Sequence, residues 1–184
     1  MIETVVESIR VQMQTQNRVV FLKERHGDRH LPIWIGDFEA QAIAIELQGV
    51  ESPRPLPYDV MKAMLLELGG QIERILIVDL SQDVYFARIV ISVGERQVEI
   101  DSRPSDAIAL AVRAGAPILV EESVMDRAGV SLEVDDEQSD AAQLSTADLP
   151  ERVEGLALDD ERLSIFRDFI NTLDIEDPDR GRGN

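Results

Sequence analysis

Apolar and polar positions alternate along the start of the chain. Val5, Glu7, Ile9, Val11 and Met13 fall on one face of an extended segment, with Val6, Ser8, Arg10 and Gln12 on the other, which is strand periodicity. Arg18 to Glu24 reads as a second strand centred on Val19-Val20-Phe21-Leu22. In a third, Leu31, Ile33 and Ile35 alternate with Pro32 and Trp34. Pro32 has no N–H to donate, so this strand belongs at a sheet edge or begins there. Gly36-Asp37 then opens a helix in which Asp37 can accept from the first free N–H groups. The helix continues through Ala40, Ile43, Ala44 and Leu47 and stops at Gly49, suited to a left-handed cap. After the proline-rich stretch Glu51 to Pro57, a second helix carries an apolar stripe of Val60, Met61, Met64, Leu65 and Leu68, with the methionines read as core packing, and ends at Gly69-Gly70. Three further strands are predicted at Ile72 to Leu80, Tyr85 to Val93 and Arg96 to Asp101. A helix from Pro104 to Ala114 capped by Gly115, a short buried strand at Pro117 to Val120 and a short helix from Glu121 to Ala128 follow.

The pattern repeats. Shifted by 65 positions, Arg18-Val19-Val20-Phe21 meets Asp83-Val84-Tyr85-Phe86, Ile33 and Ile35 meet Val98 and Ile100, and Ala42 to Leu47 meets Ala107 to Val112. Each half reads strand–strand–strand–helix. Two such units around one core predict an α+β fold, a mixed or antiparallel sheet packed with helices.

Charge divides the chain. Residues 1–130 carry 20 acidic and 13 basic side chains, net −7, while residues 131–184 carry 16 and 5, net −11. The second segment holds Asp135-Asp136-Glu137 and Asp159-Asp160-Glu161 with few apolar residues, the composition of a linker or appendage. The expected domains are therefore 1–130 and an acidic segment 131–184. Within the latter, one amphipathic helix is expected at about Asp160 to Leu173, with mobile chain on either side. Cysteine is absent, which excludes disulfide scaffolds, thiolate metal sites and thiol nucleophiles. The two histidines, His26 and His30, lie in a polar stretch read as a solvated hairpin turn, with a metal pair the lesser reading. No basic-then-apolar leader opens the sequence and no apolar run approaches membrane-span length, so a soluble cytoplasmic protein is expected. Net charge of −18 argues against generic nucleic-acid binding, which draws on cations that release phosphate counterions.

Two constellations could carry chemistry. In Glu99-Ile100-Asp101-Ser102-Arg103-Pro104-Ser105-Asp106, Val98 and Ile100 are expected to point inward, Asp101 closes a strand, and Asp106 falls in the first turn of a helix. In Arg54-Pro55-Leu56-Pro57-Tyr58-Asp59 an Arg-Pro pair again precedes an aspartate at a helix start. If both turns face one hollow, Arg54 and Arg103 can hold phosphate and Tyr58 can stack on a base or hold a phosphate. Asp59, Asp101 and Asp106 can then activate water, with Asp101 and Asp106 the candidate ligands for a divalent cation such as Mg2+. The alternative is that each turn is a stiff helix start neutralised by its own salt bridges. Glu39 is a weaker member of the set and Asp79 reads as a strand-end turn residue. Walker, dinucleotide and nucleophile-elbow signatures are absent.

The chain resembles the bifunctional nuclease domain family. The resemblance rests on Leu31-Pro32-Ile33-Trp34-Ile35-Gly36 with Glu39-Ala40, Arg54-Pro55 with Asp59, Leu68-Gly69, Ile77-Val78-Asp79-Leu80, Phe86-Ala87, and Asp101 to Ala111 with Pro117-Ile118 beyond. It implies nuclease activity towards RNA and DNA. Pro57-Tyr58-Asp59 stands where the family usually carries Thr-His-Asp, and the C-terminal motif related to excision-repair proteins that some members carry is not seen. A tyrosine, with an ordinary pKa near 10, is a poor general base. Two functions remain open: a nuclease, with a nucleic acid partner and no membrane, or a non-catalytic oligomeric module binding an anionic ligand or a protein. Trp34 on an edge-type strand and the apolar tail helix favour a homodimer or larger ring.

Overall fold

The computed structural model describes residues 1–12, 17–131 and 141–143. The chain divides into two units, Met1–Leu149 and Pro150–Asn184, and the described residues all belong to the first. The expected helix at Asp160 to Leu173 lies outside them. The strands are β1 (Ile2–Gln12), β2 (Arg18–Glu24), β3 (Arg29–Ile35), β4 (Gly70–Ser81), β5 (Val84–Val93), β6 (Arg96–Ser102), β7 (Ile118–Val120), β8 (Val130–Ser131) and β9 (Ala141–Gln143). The helices are α1 (Asp37–Leu47), α2 (Pro57–Glu67), α3 (Pro104–Ala114) and α4 (Glu122–Ala128). Among the described residues no helix is long and apolar enough to cross a membrane.

The strands form one mixed sheet in the order β6-β5-β4-β7-β1-β2-β3-β8, with β9 pairing the far end of β1. Two antiparallel meanders, β1-β2-β3 and β4-β5-β6, meet across β7, which runs parallel to β4 and antiparallel to β1. A helix follows each meander, α1 after the first and α3 after the second, so the duplicated strand–strand–strand–helix unit is present. Ladder register does not follow the constant shift of 65. Arg18 pairs with Ile35, yet Ile100 pairs with Ile89 and not with Asp83, which sits in the β4–β5 turn. A four-residue turn joins β2 to β3 and a two-residue turn joins β5 to β6, so the second hairpin closes sooner. β9 lies in the stretch that sequence composition assigns to the acidic linker.

Several local expectations are corrected. A bulge between Val6 and Ser8 moves β1 out of simple alternation, so Thr4 and Ile9 are both buried. β6 is an outer strand, leaving Ile100 44% exposed rather than inward. His30 is a buried strand residue, not a turn residue, and its Nε2 lies 3.0 Å from Glu7 Oε2. Gly36, not Asp37, is the N-cap of α1; the Asp37 carboxylate accepts instead from Arg18 Nε at 2.7 Å. The methionines of α2 are not core. Met61 and Met64 are exposed, and α2 has no buried residue; only Tyr58 and Leu65 lean on the core.

The core sits between the sheet and α3. Ala107 through Ala111 are all buried. The small residues of α1 (Ala40, Ala42, Ala44) and α3 (Ala107, Ala109, Ala111) let the two backbones come close. Into that contact comes Arg113, whose side chain is 2% exposed. Its Nη2 donates to the Ala42 carbonyl of α1 at 3.0 Å, its Nη1 to the Ala109 carbonyl of α3 at 2.9 Å, and its Nε to Asp59 Oδ1 of α2 at 2.6 Å. Lys62 of α2 donates to the Arg113 carbonyl. A buried cation requires such complete satisfaction. These polar links join the contacts of Tyr58 and Leu65 in attaching α2.

Burial pushes the Asp59 carboxyl up, but the Leu56 amide, the Arg113 guanidinium and the charge of Lys62 together hold it below its usual value. The stability it contributes is therefore complete above the unfolded carboxyl value, about 3.9, and is lost as pH falls through the folded value. Two outcomes are expected. Arg113→Ala should cost about 2–5 kcal/mol in urea denaturation, the range for emptying a large buried site. Asp59→Asn should be less stable than the wild type at pH 7, with the gap closing below about pH 4. A gap that stays constant down to pH 3 would show that the Asp59 charge plays no part.

Candidate functional site

Three helices each carry an acidic residue at their third position: Glu39 in α1, Asp59 in α2 and Asp106 in α3. Carboxylates are favoured there by unpaired N–H groups and the helix dipole. Pro57 and Pro104 stiffen the first position of α2 and α3, where a missing N–H costs nothing. Asp59 is committed twice over, since its Oδ2 accepts from the Leu56 amide at 2.7 Å and its Oδ1 from Arg113.

The other two carboxylates converge on Arg103, the N-cap residue of α3. Its Nε donates to Asp106 Oδ2 at 2.7 Å, and its Nη2 donates both to Asp106 Oδ1 at 3.0 Å and to Glu39 Oε1 at 2.8 Å. Tyr58 completes the cluster by donating its hydroxyl to Asp106 Oδ1 at 2.8 Å. The Tyr58 ring lies 5.4 Å from the Arg113 guanidinium, so one aromatic side chain joins the buried anchor to the surface cluster. Burial, then the hydrogen bond to Asp106 and the charges of Asp106 and Glu39, push the Tyr58 phenol well above its ordinary value. Tyr58 is thus a fixed proton donor at working pH and not a base. Arg103 itself is 67% exposed.

The structure brings Tyr58, Arg103 and Asp106 together, so the two turns do share one location. Asp59 is adjacent but faces Arg113. Asp101 is exposed on β6 opposite Arg88 in the ladder, and Arg54 is exposed in the α1–α2 connection; neither joins the hydrogen bonds of the cluster. Asp79 lies within β4, where its Oδ1 accepts from Arg127 Nη2 at 2.9 Å. Glu39, given little weight from sequence, is a full member. Arg113 was not singled out, although a lone cation closing the apolar run Ala107 to Val112 was a usable signal. Among the described residues no three histidine or carboxylate side chains gather so as to hold a metal ion; Asp101 and Asp106 do not form such a set.

Beside Arg103 the sheet edges open into a cleft of about 440 Å³. The sheet curls far enough for Tyr85 of β5 to donate its hydroxyl to the Pro32 carbonyl of β3 at 3.0 Å. Arg18, Trp34, Asp83, Tyr85, Arg103 and Ser105 line the opening.

Comparison with known proteins agrees with the sequence resemblance. The bifunctional nuclease domain family matches residues 20–133. An uncharacterized protein of Mycobacterium tuberculosis (strain H37Rv) is 37% identical over 175 residues, spanning 95% of this chain and 96% of its own. Bifunctional nuclease 1 of Oryza sativa subsp. japonica is 27% identical over 128 residues, 67% of this chain and 39% of the rice protein. Bifunctional nuclease 2 of Arabidopsis thaliana is 33% identical over 93 residues, 49% of this chain and 28% of the plant protein. On the extent of the family match and the near full-length bacterial relative, the chain belongs to the bifunctional nuclease domain family.

Proposed function

We propose that the chain hydrolyses phosphodiester bonds of RNA and DNA at the cluster of Glu39, Tyr58, Arg103 and Asp106. The observation that carries this reading is the exposed Arg103 guanidinium held between two carboxylates. The guanidinium is the exposed partner of these pairs, while Glu39 and Asp106 are 14% and 26% exposed, so an incoming phosphate meets the cation first. A guanidinium fork suits the non-bridging oxygens of a phosphodiester. Once Arg103 turns to phosphate, Asp106 is free to take a proton from water while Tyr58 keeps its carboxylate oriented. The water oxygen then attacks phosphorus, the bond to the leaving ester oxygen breaks, and that oxygen takes a proton from solvent. Arg103 stabilises the charge that builds on the phosphoryl oxygens. Glu39 holds Arg103 from the opposite side. A divalent cation such as Mg2+ would be held by Glu39 and Asp106 together with the substrate phosphate, since among the described residues no third histidine or carboxylate side chain gathers with them.

The second reading is a non-catalytic oligomeric module for an anionic ligand or a protein partner. It is favoured by the net charge of −18 and by the exposed apolar residues Met61 and Met64 on α2 and Leu68 at its C-cap. Light scattering at micromolar concentration tests the oligomer, for which a monomeric mass counts against either a dimer or a ring.

Cleavage of labelled RNA and single-stranded DNA by rigorously purified protein, with Mg2+ and with chelator, separates the two readings. Arg103→Ala and Asp106→Asn should each lower kcat/KM by about 10²–10³-fold. Tyr58→Phe removes one orienting hydrogen bond and should cost about tenfold. Wild-type cleavage undiminished in both Arg103→Ala and Asp106→Asn removes the site. Binding without cleavage under every metal condition favours the module.

A further inference from the structure

We infer that the cleft beside Arg103 is a base-stacking subsite for single-stranded nucleic acid, in which an unpaired base lies on Trp34 while Arg18 and Arg103 hold flanking phosphates. This rests on the proposed nuclease reading and names the form of its substrate. Trp34 is 58% exposed, although a free indole face is costly to leave in water without a use. It stands on β3 at the rim of a cleft whose volume falls within the range of small-molecule sites, about 300–1,000 Å³. Tyr85 also lines the cleft, with its hydroxyl spent on the Pro32 carbonyl.

The cleft offers two guanidinium groups, each already paired with carboxylates beside it. Two arginines, Arg18 and Arg103, face one carboxylate, Asp83, among the lining residues. Arg18 pairs with Asp37 as Arg103 pairs with Glu39 and Asp106, and Asp37 and Arg103 are the exposed partners. Asp83 is fixed in the two-residue β4–β5 turn, where Gln82 and Asp83 both have positive φ, 50° and 62°. Such a turn is ordinarily built with Asn or Gly, so an acidic acceptor is held at the cleft rim at a conformational cost.

An occupant must offer a flat face and an anion at once. Arg103 is shared by the cleft and the hydrolytic cluster, so a base on Trp34 puts its own backbone phosphate beside Glu39 and Asp106. Within a duplex each base is already stacked on both faces and has none to give Trp34, so the occupant is single-stranded. The recognition uses base and phosphate, which RNA and DNA share.

Trp34 is the chain's one tryptophan, so its emission reports this cleft alone. The full chain is titrated with a phosphorothioate-backbone oligonucleotide resistant to cleavage, single-stranded or annealed to its complement. Fluorescein anisotropy of the same strand gives affinity independently of Trp34. Saturable quenching by the single strand is expected, with blunt duplex at least tenfold weaker. Trp34→Leu should bind the strand about tenfold more weakly, the loss of one base–aromatic stack, and Trp34→Phe should recover most of it. Circular dichroism checks that these exposed substitutions leave the fold intact. Anisotropy binding with no change in Trp34 emission, equal binding by Trp34→Leu, or equal quenching by duplex would each overturn the subsite while leaving nuclease activity standing. Quenching by a protein that never cleaves an ordinary strand would instead overturn the nuclease reading and leave the subsite.

Discussion

A buried guanidinium holds the arrangement together. Arg113 lies among the starts and faces of three helices, and each of its three nitrogens binds a different one. Because the cation cannot leave water unless fully partnered, the positions of Ala42, Ala109 and Asp59 are tied to one another. Alanine-rich faces on α1 and α3 make room for this. α2, which buries no residue of its own, is carried to its place by Asp59 and Lys62. Hydrophobic burial builds the sheet and α3; polar bonding decides where α2 goes.

The location of α2 determines the surface cluster. Tyr58 is one residue from Asp59, so the ion pair that anchors the helix also delivers the phenol to Asp106. Asp106 is thereby held from one side by Tyr58 and from the other by Arg103, which in turn reaches Glu39. The chain thus separates two kinds of arginine. Arg113 is buried and bound on three sides, a fixed strut. Arg103 is exposed and bound only to carboxylates, a group that can change partners. Only the second is exposed enough to meet another anion.

Much of this was legible in the sequence, and the failures have causes. The strands and helices follow from period-two and helical patterns because most of them bury one face; β2, α3 and the Gly49 and Gly115 stops follow from local chemistry. The same logic misassigned α2. Its stripe of Val60, Met61, Met64 and Leu68 has helical spacing, but spacing says only that a face exists, not that anything covers it. Alternation failed in β1 because a bulge at Glu7 adds one residue, and in β6 because an outer strand has less to pack against. At the site, Tyr58, Arg103 and Asp106 were readable from two similar Arg-Pro turns. Arg54 and Asp101 carried the same local signal yet stand outside the cluster, since turn chemistry does not fix where a side chain points. Glu39 could be linked to Arg103 only through a contact 64 residues apart, which no local pattern encodes.

The central claim is that Arg103 exchanges the Asp106 carboxylate for phosphate while Arg113 stays fixed. The most direct test follows the arginine Nε–H resonances by 15N–1H NMR as a cleavage-resistant phosphorothioate strand is added. The Arg103 signal, assigned through Arg103→Lys, should shift in a saturable manner, while the Arg113 signal keeps its position and its slow exchange with water. Binding of the strand with Arg103 unmoved, or with Arg113 shifting alongside it, would contradict the claim.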